Sequence, residues 1–108
     1  MMYIFFKMIF IQNTQIIFRK EENGAYLYDP NSGNLKYINK VGTSLYELCD
    51  GLHPVEVMIS RIAREYEDVP MDQIEKDVDR FLADLLQMDF VKRITSMSTG
   101  ISPASWTF

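Results

Sequence analysis

The sequence has little cysteine, histidine or basic charge. A single cysteine among 108 residues excludes an intramolecular disulfide framework and favours a reducing, cytoplasmic compartment. Eleven lysines and arginines stand against fifteen aspartates and glutamates, giving a formal net charge of −4. Because phosphate contacts supply most of the affinity for nucleic acid, this balance is unfavourable for DNA or RNA binding. The chain is long enough for one hydrophobic core.

Long hydrophobic runs are also absent. The most apolar stretch, Met1–Ile11, contains Lys7 and is shorter than the about 20 residues that a membrane span needs. It lacks the basic start and cleavage site of a signal peptide, so we expect no membrane partner. Tyr3–Ile11 is β-prone and predicts an extra strand, either on the protein's own sheet or exchanged with a second chain in a homodimer. Translation starting at Met8 and a disordered arm are the alternative.

The rest of the sequence predicts one domain. We expect an apolar arm over residues 1–13, a folded domain over 14–94 and a flexible tail over 95–108, where Gly and Pro interrupt a polar segment. Three short β-prone runs, Gln15–Lys20, Ala25–Asp29 and Leu35–Ile38, are separated by turn residues and predict a three-stranded antiparallel meander.

After the third strand the apolar period changes from two to about 3.6 residues. Asn39 predicts the cap of a first helix that ends at Gly51. A second helix is expected to open with Pro54 at its first helical position, and a third starts near Pro70. Phe90–Ile94 predicts a short closing strand. Together these elements predict an α+β fold of the winged helix-turn-helix type, with a three-stranded antiparallel sheet followed by three helices.

Charge is unevenly distributed along the chain. The helical part, Glu47–Asp89, carries twelve acidic and four basic residues, a net charge of −8. The remainder carries a net charge of +4. A helical unit that inserted into a DNA groove would need the opposite sign, so the helices argue against duplex binding.

Few residues are candidates for catalysis or metal binding. His53 is the only histidine and lies beside Pro54 at a predicted helix start, where a structural role is favoured over acid–base chemistry. Cys49 falls on an apolar helical stripe with no base on the same face. The acidic pairs Asp72/Glu75 and Asp77/Asp79 could imitate a divalent-metal site, but a charged, solvated helix face is the favoured interpretation. We therefore expect no enzyme and no cofactor.

The meander has better support as a binding surface. An edge strand carries unpaired backbone donors and acceptors, which proteins either hide or use. If the third helix runs beside Leu35–Ile38, an extended peptide could lie in the groove between them and gain ladder hydrogen bonds. The alternative is a short edge that is simply solvated.

An ordered series of residues resembles the pyrroloquinoline quinone biosynthesis protein D family. The series consists of NGAYLYDP at 23–30, Gly33, YIN at 37–39, LYELCDG at 45–51, HPVE at 53–56, AREY at 63–66 and IEKDV at 74–78, then Phe81, Leu82, Leu85, Phe90 and Val91. It covers about Ile16 to Val91. Neither the apolar arm nor the tail beyond Thr95 is part of the resemblance.

The resemblance implies a recognition element for ribosomally made, post-translationally modified peptides, without catalysis or cofactor. Such elements bind the leader of a precursor peptide as a strand and present it to a maturation enzyme of radical SAM, leader-protease or cyclase type. Here the implied peptide edge comprises Leu35, Lys36, Tyr37, Ile38 and Asn39, and the implied helix wall comprises Asp77, Arg80, Phe81, Asp84, Leu85 and Met88. A winged-helix DNA-binding regulator and a purely scaffolding subunit are the other hypotheses.

Overall fold

The computed structural model describes residues 7–94; the rest of the arm and the tail over 95–108 lie outside the described residues. The described part contains six strands and three helices. In chain order these are β1 (Ile9–Gln12), β2 (Ile17–Glu21), β3 (Gly24–Tyr28), β4 (Leu35–Asn39), α1 (Lys40–Glu47), β5 (Asp50–Pro54), α2 (Val55–Glu65), α3 (Met71–Gln87) and β6 (Val91–Ile94).

The predicted three-stranded antiparallel meander is confirmed as the sheet β2-β3-β4. Its inner face buries Ala25, Leu27 and Ile38 against the helices, which follows from the two-residue period of a strand. Gly24 is required at the start of β3, because the Ile38 carbonyl occupies the space that a Cβ would need.

The loop between β3 and β4 is held by Asp29. Its carboxylate accepts hydrogen bonds from the Asn31 amide and the Ser32 hydroxyl, both at 2.9 Å. Its carbonyl accepts the amide of Gly33, whose φ of 81° lies in the left-handed region that glycine favours. This loop sets the register in which β4 returns along β3.

The three predicted helices are present, with two corrections at their ends. Asn39 caps α1 as expected, but α1 ends at Glu47 rather than at Gly51. Pro54 is not the first helical residue of α2; it is extended and is the last residue of β5. Both corrections have one cause, because residues 50–54 are held in a strand by pairing that their local sequence does not reveal.

That strand belongs to a second sheet, with the order β5-β1-β6. β1 is its central strand and pairs antiparallel with both neighbours, so Ile9 lies opposite Pro54 on one side and Ile94 on the other. Gly51 has a φ of 84° at the irregularity in the β1–β5 ladder. The side chain of Phe10 is fully buried. The described part of the apolar arm is therefore an extra strand of the protein's own fold.

The last residue of β1 and the residue after it contact the ends of two helices. The Gln12 side chain donates to the Tyr46 carbonyl near the end of α1, at 2.9 Å. The Asn13 side chain donates to the carbonyl of Asp89, just after α3, at 2.8 Å. The Tyr46 carbonyl also accepts the Cys49 amide at 3.0 Å, so the Gln12 bond gives the end of α1 a second partner. Among the described residues, no helix is both long enough and apolar enough to cross a membrane.

Candidate functional site

β4 is an edge strand, with β3 as its neighbour in the described sheet. In an antiparallel ladder, backbone hydrogen bonds join every second residue pair. The amide of Asp29 donates to the carbonyl of Asn34 at 2.9 Å, which fixes the phase of this alternation. It follows that Leu35 and Tyr37 direct their backbone N–H and C=O groups away from β3. This edge therefore offers donors and acceptors to an added strand.

Asn39 connects this edge to the helices. Its side chain accepts the Gly42 amide at 2.8 Å, and its carbonyl accepts the Thr43 hydroxyl at 2.8 Å. Asparagine is a favoured helix cap because its short side chain satisfies an amide of the first turn. The chain therefore turns directly from the free edge into α1.

A cleft of about 440 Å³ opens beside Asn39, between α1, the end of α2 and α3. Two successive turns of α3 present Asp77, Phe81 and Asp84 on the side that faces the cleft, because positions four and three residues apart share a helix face. The lining comprises Asn39, Val41, Gly42, Leu45, Ile62, Tyr66, Val69, Ile74, Asp77, Val78, Arg80, Phe81 and Asp84. The cleft is therefore an apolar trough with charged groups from α3 among its walls.

Phe81 joins the cleft to the sheet edge. A Cβ on Gly42 would lie 3.1 Å from the Cε1 atom of Phe81 and 3.1 Å from the Cβ atom of Ile38. The aromatic ring therefore packs directly on the backbone of α1, next to the strand that carries the free edge. The half-buried ring is available to a ligand in the cleft while its other side contacts the core.

The charges in the cleft come from α3. Asp77 and Asp84 supply two carboxylates, and Arg80 supplies one guanidinium between them in sequence. The Gln73 side chain donates to Oδ1 of Asp77 at 3.0 Å and holds that carboxylate in place. All three charged residues are exposed, so the cleft wall is mildly acidic and open to solvent.

The residues that the resemblance implies for peptide contact fall into three groups: those that line the cleft, those on the edge strand and those packed in or against the core. The first group comprises Asn39, Asp77, Arg80, Phe81 and Asp84, which line the cleft.

Leu35, Lys36 and Tyr37 lie on the adjoining edge strand. The side chains of Ile38 and Leu85 are buried in the core, and Met88 packs against it from a half-buried position. The structure thus brings the edge strand and the cleft-facing side of α3 together. Ile38, Leu85 and Met88 instead pack in or against the core beneath these surfaces.

Several cleft residues were missed in the sequence. Ile62, Tyr66 and Val69 come from the end of α2 and the loop after it, and Val41 and Leu45 come from α1. Val41, Leu45, Ile62 and Tyr66 lie on the apolar stripes that the sequence does reveal. An apolar stripe on a helix does not indicate which of its side chains pack on another helix and which border an open cleft. No local feature of the sequence therefore identified these residues as part of the cleft.

The other chemically reactive residues are separate from the cleft. Burial, reinforced by the charge of Asp50, raises the pKa of the Cys49 thiol to about 12, and its Sγ lies 3.4 Å from the Leu45 carbonyl. His53 Nδ1 lies 2.9 Å from Asp50 Oδ1. Desolvation of the Asp50 carboxylate acts to raise its pKa, but hydrogen bonds from His53 and the Leu52 amide outweigh this effect and lower the pKa. Within residues 7–94, no group of acidic, histidine and cysteine side chains is arranged to hold a metal ion.

Comparison with known proteins places the chain in a family. Among solved structures, TbiB1 in complex with the TbiA(beta) leader peptide has a TM-score of 0.68 and 18% sequence identity, covering 76% of this chain and 94% of that one. At that identity the likeness shows the fold. No curated protein matches the chain. The sequence pattern of Coenzyme PQQ synthesis protein D (PqqD) matches residues 24–91, from β3 to the first residue of β6. The chain therefore belongs to the Coenzyme PQQ synthesis protein D (PqqD) family.

Proposed function

We propose that this protein binds the leader segment of a ribosomally made precursor peptide and presents it to a modifying enzyme. The observation that carries the proposal is the junction of a free strand edge with an apolar cleft, at Asn39. Family membership and the likeness to a protein solved with a leader peptide support it. The leader would add to β4 as a fourth strand of the sheet β2-β3-β4.

The geometry suggests two contributions to affinity. Backbone groups of Leu35 and Tyr37 would form ladder hydrogen bonds, each contributing about 0.5–1.5 kcal/mol. Every second leader side chain would point to the helix side and enter the cleft beside Phe81. Burying one large apolar side chain there contributes about 1.5–3 kcal/mol, so two anchors would change affinity by about 10²–10⁴-fold.

We propose that the protein has no catalytic activity and that chemistry belongs to a partner enzyme of radical SAM, leader-protease or cyclase type. The Cys49 thiol is buried and protonated, and the ring of His53 is held by Asp50. Neither side chain lines the cleft in which the peptide would lie. The cytoplasm, where nascent precursors and reduced thiols occur, is the proposed compartment.

A winged helix-turn-helix description is compatible with this fold, with β2-β3-β4 as the wing. The electrostatics disfavour a DNA-binding role for it. α3, its longest helix, carries five acidic residues (Asp72, Glu75, Asp77, Asp79 and Asp84) against two basic ones (Lys76 and Arg80). Retention on a nucleic-acid column that falls steeply with salt would favour the regulator instead.

The decisive experiment uses peptides selected on the protein itself. A random library of linear peptides displayed on phage is panned on the full chain, and enriched peptides are synthesised and titrated by calorimetry. We compare Tyr37→Pro with Tyr37→Ala, because both remove the ring but only proline removes the outward N–H. We expect Tyr37→Pro to bind about tenfold or more weakly than Tyr37→Ala. Equal affinities in two folded variants would refute strand addition at β4.

A homodimer formed by exchange of the N-terminal arm is a separate proposal. In the single chain β1 pairs with β5 and β6, and an exchanged β1 would make the same contacts in a second copy. Light scattering across a concentration series tests it, since exchange predicts a mass that doubles with concentration. A monomer mass throughout the series would exclude exchange.

A further inference from the structure

The outer face of the sheet β2-β3-β4 carries a cluster of exposed apolar side chains. We call this cluster the outer-face patch; it comprises Ile17, Tyr26, Tyr28, Leu35 and Tyr37. All five lie on the face opposite the core, because Ala25, Leu27 and Ile38 on the same strands point inward. Soluble domains rarely leave such a contiguous patch without a use.

The register arranges the patch in rows that run across the sheet. Ile17, Tyr28 and Leu35 are cross-strand partners in one row, and Arg19, Tyr26 and Tyr37 form the next. The rings of Tyr26 and Tyr37 meet edge to face with centroids 5.1 Å apart. Both rows end at β4, on the edge that the proposed function assigns to the peptide.

Tyr37 is fixed in its orientation. Its hydroxyl donates to the Asn23 carbonyl at 2.9 Å, so the ring lies flat along the outer face rather than turning into solvent. A preorganised aromatic side chain loses little conformational entropy when a ligand packs on it. The Tyr37 ring, at the β4 end of its row, therefore already has a defined orientation in the absence of a ligand.

We propose that the β4 end of the outer-face patch, formed by Leu35 and Tyr37, selects peptides in which two residues, spaced two apart, are apolar or aromatic. This inference rests on the proposed function. A strand added to β4 places the residues opposite Leu35 and Tyr37 on the outer face, with Cβ atoms about 4.5–5.5 Å from theirs. The residue between those two points to the helix side and toward the cleft. The peptide is thus apolar on both faces at its centre.

The position of the patch favours the peptide over a second copy of this chain. Five partly exposed side chains of about 200 Å² each give a patch on the order of 400–500 Å². A stable interface buries about 800 Å² on each partner, which this patch does not reach alone. An added strand, in contrast, extends both rows without needing a larger area.

The test compares two substitutions in the same row. Leu35 is 61% exposed and Ile17 is 54% exposed, so neither Leu35→Thr nor Ile17→Thr opens the core. Threonine keeps the backbone donors and the β-propensity. Leu35 would touch the added strand, whereas Ile17 lies two strands, about 10 Å, from β4. The probes are the phage-selected peptides, titrated by calorimetry against the wild-type chain and both variants.

We expect the selected peptides to have apolar residues at two alternate positions that a serine scan identifies. Leu35→Thr should weaken their binding by about threefold to tenfold, and Ile17→Thr should leave it unchanged.

Peptides that depend on the Tyr37 N–H but not on Leu35, and show no alternate apolar pair, would overturn this inference and leave the proposed function standing. Peptides that do not depend on the Tyr37 N–H would overturn both. A dimer in light scattering that Ile17→Thr dissolves would assign the patch to a second copy and overturn the inference alone.

Discussion

Phe81 lies so close to Gly42 that a single methyl group on the glycine would stand 3.1 Å from the aromatic ring. The same methyl would stand 3.1 Å from Cβ of Ile38, which is fixed to the backbone of β4. Of these two neighbours only the ring can move, and the cleft is the open space beside it. The close packing of α1 against β4 and against the Phe81 ring therefore depends on the absence of a side chain at Gly42.

We predict that Gly42→Ala weakens peptide binding and also lowers the free energy of unfolding modestly. Alanine gains up to about 1 kcal/mol of helix propensity, but crowding against the fixed Cβ of Ile38 and the ring of Phe81 costs about 1–3 kcal/mol. The displaced ring narrows the cleft, so affinity for the selected peptides should fall about tenfold. Urea unfolding and calorimetry measure the two effects, with Ser44→Ala on the same helix as the control. Unchanged affinity would mean that the peptide does not use the space beside Phe81.

The carboxylates of the cleft should select for basic peptides. We predict that Asp77→Asn together with Asp84→Asn weakens binding of peptides with Lys or Arg beside the apolar anchor by about twofold to fivefold for each pair lost. The salt dependence of affinity should flatten at the same time, because screened charge pairs are removed. Glu75→Gln, on α3 but outside the cleft lining, is the matched control. Equal salt slopes in the wild type and the double variant would contradict the prediction.

β1 should be essential to stability. Phe10→Ala removes a fully buried aromatic side chain and should lower the free energy of unfolding by about 3–5 kcal/mol. Ile11→Ala, the next residue, is partly exposed and should cost much less. Urea unfolding monitored by circular dichroism compares them. Equal midpoints for Phe10→Ala and the wild type would mean that β1 does not pack as described.

The Cys49 thiol should be unreactive in the folded protein and should make stability fall at high pH. Its pKa is about 12 in the fold, against an ordinary value of 9.0, because burial disfavours the thiolate. Above pH 9 the unfolded chain therefore loses this proton before the folded one. Between pH 9 and the folded pKa of about 12, the Cys49 thiol should therefore lower the free energy of unfolding by roughly 1 kcal/mol per pH unit.

Urea unfolding at pH 8 and pH 10 measures that decrease, and Cys49→Ala should reduce it. Tyr46 adds a similar contribution above pH 10, since burial and the nearby Cys49 raise its pKa to about 12. A thiol reagent at pH 8 should label Cys49 only in denaturant. Rapid labelling of the native protein would show that the thiol is accessible.

The sequence predicted the sheet β2-β3-β4 and the three helices because each is encoded locally. The two-residue period, the breakers after Asp29 and the cap at Asn39 are all visible within a few positions. The strand β5 was missed because its residues, with Gly51 and Pro54, are typical of a break between helices. Only β1, some forty residues away in sequence, makes them a strand.

The candidate site, like the fold, could be predicted only where it is encoded by a local segment. An edge strand follows from strand order alone, so the position of Leu35 and Tyr37 could be inferred. The burial of Leu85, and the contribution of Ile62 and Tyr66 to the cleft, depend on how α2 and α3 cross. Packing angles between helices are set by side-chain contacts that no single segment encodes.

The central position of β1 fixes the order in which the parts of this protein can be completed during synthesis. The ribosome produces β1 first and its partner β6 last, so Ile9 waits for Ile94 until nearly the whole domain has emerged. The sheet β2-β3-β4 needs only neighbouring segments and can close much earlier. A nascent chain would thus expose the unpaired edge of β4 before β1 has all of its partners, so β1 could pair with that edge. In the completed fold β1 is paired with both β5 and β6, which removes this competitor from the edge of β4.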